Sequence, residues 1–176
     1  MPEFLTDVHA LRAKARRDIT DGPVTDAYGA DLPRVIEMLN TALATEVVCT
    51  LRYRQHHFMA KGMNSEPVAQ EFLEHSNEEQ QHADLLAARI VQLGGTPELD
   101  PNGLVGRAHS EYIPSRDLTQ MIEENLVAER IAITSYTEMI GWIGSGDPTT
   151  RRVLEQILAR EEEHADDMLT FLEADH

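Results

Sequence analysis

Two short motifs recur at a distance along the chain. Glu79-Gln80-Gln81-His82-Ala83-Asp84 is matched by Glu161-Glu162-Glu163-His164-Ala165-Asp166. In each, a glutamate and a histidine stand three residues apart, a spacing that sets both on one face of a helix. Two more glutamates recur upstream. Leu43-Ala44-Thr45-Glu46 parallels Leu126-Val127-Ala128-Glu129, and Tyr53 and Tyr136 each follow their glutamate by seven residues. Carboxylates with imidazole make a donor set suited to iron or manganese. One Glu-x-x-His on an acidic helix is commonplace; two copies, each with a partner glutamate, form a constellation.

Heptad spacing says which way these residues face. Four stripes run Leu39-Glu46-Tyr53, Phe72-Glu79-Leu86-Leu93, Ile122-Glu129-Tyr136-Ile143 and Leu154-Glu161-Met168. Residues seven apart drift by only about 20° on a helix, so one glutamate per stripe points inward among apolar neighbours. The stripe Ile157-His164-Phe171 turns a histidine inward as well. Each bare buried charge costs several kcal/mol or more, and like charges add repulsion. Protonation of one or two acids is one remedy; two divalent cations would neutralise all four. The pattern predicts a dinuclear metal site in which two glutamates bridge and the other two, with the histidines, complete one set per metal.

Four long helices must position these groups, and their punctuation is clear. Asp31 caps the first, with Pro33 in its first turn and Gly62 as a stop. Ser65 caps the second, with Pro67 early and Gly94-Gly95 at the end. Asp117 and Gln120 have capping-box spacing for the third, which Gly144 or Gly146 ends. Asp147-Pro148 starts the fourth, which runs to about Glu173. No segment alternates as a strand does. Short connections make the first and second helices, and the third and fourth, antiparallel hairpins. Glu46, Glu79 and His82 stand 17, 16 and 19 residues from Met63; Glu129, Glu161 and His164 stand 16, 16 and 19 from Ser145. The two hairpins thus carry their candidate donors at matched heights. Gly95 to Arg116, 22 residues with three prolines, is long enough to span the whole bundle, since it reaches roughly 70 Å when extended. The expected architecture is all-α: an antiparallel four-helix bundle over 31–176 with one long crossover, preceded by a short helical extension over 1–30.

The 176 residues carry a formal net charge of −16. That argues against a nucleic-acid surface and favours attraction of cations. The single cysteine, Cys49, excludes an intrachain disulfide and any four-cysteine metal centre within one chain; it reads as a buried structural thiol. Met1 to Asp18 show no apolar leader segment and no stretch is long enough to span a bilayer, so the expected compartment is the cytoplasm. Arg12, Lys14, Arg16 and Arg17 read as a solvated basic helix face, with a weak anion-contacting arm as the alternative. His56, His57 and His109 read as surface or hydrogen-bonded core histidines, and His75, seven before His82, can approach the site. Glu123, Glu124, Glu162 and Glu163 read as a solvated face.

Over roughly residues 33–172 the sequence resembles the ferritin-like superfamily, bacterioferritin most closely, on Glu46, Glu79-x-x-His82, Glu129 and Glu161-x-x-His164. The resemblance implies that these six residues are the ligands of a ferroxidase centre, with Glu79 and Glu161 as bridges. It sets Tyr53 beside the centre, where a core aromatic is the other reading. It implies two iron ions per subunit (manganese stays open), oxidation of Fe2+ by O2 or H2O2, and ferric mineral stored in a hollow homo-oligomeric cage. Glu74 and Glu78 match an inner-surface iron site of bacterioferritins; a plain exposed face is the alternative. Bacterioferritins bind haem through a methionine directly after the second-helix glutamate; Gln80 stands there, so haem is not expected. No fifth helix is expected. The long crossover and the N-terminal extension leave room for the smaller cage of Dps-type miniferritins. Those typically build their iron site between subunits, whereas this chain carries a full donor set. The competing readings are a peroxide-detoxifying miniferritin, a manganese-catalase-like enzyme and a DNA-coating shell. The acidity counts against the last, and a single cysteine cannot build the rubredoxin centre of a rubrerythrin.

Overall fold

The computed structural model describes residues 7–62 and 65–174. Residues 1–6 of the expected extension, and Met63 at the centre of the first hairpin turn, lie outside them. The described residues form six helices and no strand: α1 (Val8–Arg17), α2 (Leu32–Met59), α3 (Ser65–Gln92), α4 (Pro101–Arg107), α5 (Leu118–Ile143) and α6 (Pro148–Ala174). The four long ones, α2, α3, α5 and α6, each run about 40 Å at 1.5 Å per residue. They pack as two hairpins, α2 with α3 and α5 with α6, joined through α2–α5 and α3–α6 contacts. Among the described residues no helix is long and apolar enough to cross a membrane.

The end signals act largely as their chemistry dictates. Asp31 and Asp117 side chains accept from the Arg34 and Gln120 amides, and Asp147 accepts from the Thr150 amide. Gly94, at φ 84°, lets the chain turn back so that the Gly95 amide bonds the Ile90 carbonyl at the end of α3. Two boundaries differ from expectation. α2 ends at Met59 rather than at Gly62. Ser65 is the first residue of α3, and its hydroxyl donates to the Gly62 carbonyl instead of capping.

The crossover does run from one end of the bundle to the other, but it holds a short helix, α4, capped by Asp100. Its backbone is tied to the flank of α2 by buried polar side chains. Asn40 bonds both the Thr96 carbonyl and the Glu98 amide, Thr45 takes the His109 amide, Arg52 donates to the Glu111 carbonyl, and His56 meets the Ile113 carbonyl. Tyr28, ahead of α2, reaches a buried knot at the α5–α6 turn, where Asp147 also binds Arg89 and Thr150. The backbones meet there at Gly29 and Gly146, and a Cβ on Gly146 would lie 3.1 Å from three backbone atoms.

Two apolar clusters fill the bundle. One, around Leu39, Leu43, Leu86, Ile90, Leu154 and Ile157, occupies the end near the α5–α6 turn. The other, around Tyr53, Val68, Phe72, Met121, Ile122 and Met168, occupies the opposite end. The four inward glutamates lie along the stripes between them.

Candidate metal centre

All six candidate donors come together. Glu46, Glu79, Glu129, Glu161 and His164 are each 1% exposed and His82 is 7% exposed. Two groups of converging donor atoms emerge. Glu46, Glu79, His82 and Glu161 form one; Glu79, Glu129, Glu161 and His164 form the other. Glu79 and Glu161 belong to both, which is the geometry of two shared and two terminal carboxylates. His82 Nδ1 lies 3.2 Å from Glu46, 3.4 Å from Glu79 and 2.8 Å from Glu161. His164 Nδ1 faces Glu79, Glu161 and Glu129 at 3.8, 3.8 and 4.0 Å. Those last distances are too long for hydrogen bonds.

Buried polar atoms test whether metal ions fit this arrangement. Among the described residues, Glu79 Oε1, Glu129 Oε2 and His164 Nδ1 are buried without a hydrogen bond. Buried polar groups are nearly always satisfied, so orphans that converge on one space fit metal ions held there. The electrostatics agree. Burial and the charges of Glu161, Glu46 and Glu129 push the Glu79 carboxyl well above its ordinary range. Burial, Glu46 and Glu129 do the same to Glu161. Burial also works against ionised Glu46, but hydrogen bonds with His82, Glu79 and Tyr136 hold its carboxyl below the usual value. Burial disfavours charged His82, yet Glu46 and Glu79 raise it to about 10. His164 falls to about 2 through burial and the neighbouring His75 and His82.

The supporting residues follow the internal repeat. Tyr53 of α2 donates to Glu129 of α5, and Tyr136 of α5 donates to Glu46 of α2. Each tyrosine therefore braces the glutamate of the other hairpin. Tyr136 was legible only as the repeat partner of Tyr53. Glu78 is a further addition: its carboxylate sits 2.7 Å from His164 Nε2, so it is more than an exposed face. A proton on Nε2 leaves the Nδ1 lone pair turned to the centre, the usual way an outer carboxylate orients a metal-binding histidine. Glu74 accepts a hydrogen bond from Gln70 on the surface of α3.

The remaining histidines separate. His56 is buried against Asn125 and Ile113, His57 meets the Ala69 carbonyl, and His109 meets Ser135. His75 is buried and stacks on His164, with ring centroids 3.9 Å apart. Cys49 is buried, and burial pushes its thiol up to about 11 despite Arg52.

Comparison with known proteins bears on this geometry. Residues 36–175 match the model of the ferritin-like domain family. A nutrient stress-induced DNA-binding protein of Nostoc sp. is 30% identical over 162 residues, 89% of this chain and 86% of that one. The bacterioferritin of Brucella melitensis is 30% identical over 142 residues, 80% and 84% of the two chains. Among solved structures, the dodecameric thioferritin of Bacteroides fragilis, a bacterioferritin-related protein, superposes with a TM-score of 0.80 at 33% identity, covering 83% of this chain and 88% of its own.

Proposed function

The chain belongs to the ferritin-like family, and on that premise we propose that it is an iron-storing ferroxidase. It oxidises Fe2+ with O2 or H2O2 at a dinuclear centre built within one subunit and keeps the ferric product inside a homo-oligomeric cage. The observation that carries this reading is the pair of donor sets sharing Glu79 and Glu161, with orphaned buried atoms facing the same space.

Each residue has a part. Glu46 and His82 hold one Fe2+ substrate ion, Glu129 and His164 hold the second, and Glu79 and Glu161 bridge them. Carboxylates serve both Fe2+ and Fe3+, and two adjacent ferrous ions supply two electrons to one oxidant. Tyr53 and Tyr136 fix the terminal carboxylates by donating to the oxygen atoms turned from the centre. Glu78 fixes the tautomer of His164. A cleft lined by Glu78, Gln81, His82, Arg160 and Glu163 opens the His82 side to the α3–α6 surface. The −16 charge draws Fe2+ toward the assembly. The dodecameric relative from Bacteroides fragilis favours the smaller cage, which for twelve chains of 19.8 kDa has a mass of about 240 kDa.

Anaerobic Fe2+ loading followed by O2 or H2O2 tests the proposal. The expected result is fast oxidation with many iron atoms per chain retained in solution. Glu129→Ala should abolish the fast phase; a wild-type rate in that variant refutes the site. Turnover without retained iron refutes storage and leaves the peroxide-detoxifying or manganese-catalase-like reading.

A further inference from the structure

His75 is buried to 1% exposure, yet it belongs to neither donor set of the dinuclear centre. Its Nδ1 lies 3.3 Å from the Tyr53 hydroxyl. Tyr53 has one O–H, and that proton goes to Glu129. The Tyr53 oxygen therefore accepts from His75. In the neutral imidazole, the form that ligates a metal, this places the one ring proton on Nδ1 and leaves the lone pair at Nε2. That atom faces Glu71 Oε1 at 3.3 Å and Asp167 Oδ2 at 3.4 Å. With His75 neutral, three electron-pair donors converge there.

The distances point the same way. Donors about 2.1 Å from a tetrahedral ion stand about 3.4 Å from one another. Glu71 and His75 lie four apart on α3, and Asp167 is supplied by α6, so the cluster exists only where the two helices pack. The Glu71 and Asp167 side chains are 29% and 49% exposed, which opens the cluster to solvent while the imidazole stays fixed by its stack on His164.

We propose that Glu71, His75 and Asp167 bind a third divalent transition-metal cation at the α3–α6 surface, one imidazole away from the dinuclear centre. The imidazole donor selects Fe2+, Co2+ or Zn2+ over Mg2+ and Ca2+, which take oxygen ligands. The Tyr53 hydroxyl joins the two places: its oxygen accepts from His75 and its O–H donates to Glu129. The assignment rests on these three residues and stands without the dinuclear reading.

Zn2+ is the probe, because it does not change oxidation state. Equilibrium dialysis of the full chain counts bound ions, and anomalous scattering at the zinc edge locates them in crystals. Wild type is expected to bind three Zn2+ per chain, unaffected by excess Mg2+. The Glu71→Gln/Asp167→Asn variant, altered only at partly exposed carboxylates, is expected to lose one and keep two. An unchanged count in that variant, or zinc scattering confined to the dinuclear donors, overturns the proposal. Zinc at Glu71, His75 and Asp167 with none between Glu79 and Glu161 would sink the ferroxidase reading and support this one.

Discussion

A glutamate buried among leucines persists only if something offsets its charge, and without metal that something is a proton of its own or, as at Glu46, hydrogen-bond donors around it. Glu79 and Glu161 have carboxyls raised well above their ordinary range by burial and by the neighbouring carboxylates, and His82 is raised to about 10, so each holds its proton more tightly than a free side chain does. Metal ions must expel those protons to gain the ligands. The sign follows: affinity rises with pH, and loading acidifies the solution. An anaerobic Zn2+ titration in weakly buffered solution should release protons, and a pH-neutral titration would contradict the assignment. Glu78 acts one step further out. Glu78→Ala should weaken binding at His164 by roughly 10–100-fold. Glu78→Gln should restore most of it, because the amide oxygen still accepts from Nε2. Measured affinities for the two variants decide this, and equal losses would mean that Glu78 matters for its charge instead. The burial and convergence of the candidate donors at 46, 79, 82, 129, 161 and 164 were legible because helical spacing alone turns them inward. The roles of Glu78, and of His75 with Asp167, were not legible. They depend on how α3 lies against α6, which no spacing within one helix reveals.

At the scale of elements, the site is a matter of level. Two hairpins with donors equally far from their turns bring four carboxylates to one height, and the apolar clusters on either side hold that height. The α5–α6 turn is fastened by Asp147, which caps α6, pairs with buried Arg89 and accepts from Tyr28. Asp147→Ala would leave Arg89 buried and unpaired, at a cost of about 3–5 kcal/mol. The expected readout is a lower urea midpoint for the variant chain; an unchanged midpoint would show the knot to be dispensable. Burial opposes the Asp147 charge, but bonds from Thr150, Arg89 and Tyr28 hold its carboxyl below the ordinary value. Its contribution is therefore present above about pH 4 and disappears as pH falls through the depressed value. The long helices were readable because caps, heptads and glycine stops agree. α4 was missed although Asp100-Pro101 repeats the Asp147-Pro148 start signal. Gly103 and Gly106 within its seven residues masked it, and its single buried residue, Leu104, leaves no periodic stripe to read.

For the whole molecule, charge decides between two kinds of ferritin-like relative. One relative's name includes DNA binding and another's is bacterioferritin. Binding DNA requires cationic side chains that displace counterions from phosphates. The local basic cluster of this chain lies on α1, at Arg12, Lys14, Arg16 and Arg17, and its charges are partly spoken for. Lys14 pairs with Asp26, and Arg17 pairs with Asp18 at 3.0 Å. Behind them stands a net charge of −16 per chain, which an assembly multiplies. Repulsion at long range is therefore expected to outweigh four arginines and lysines within one short helix. The prediction is that the full chain does not retard duplex DNA in a gel at 150 mM salt, where the Debye length is about 8 Å. Lowering the salt lengthens the reach of the acidic field as well as that of α1, so binding should not emerge there either. A shift that appears at low salt and vanishes in a variant with Arg12, Lys14, Arg16 and Arg17 changed to glutamine would overturn this and make α1 a DNA-contacting arm.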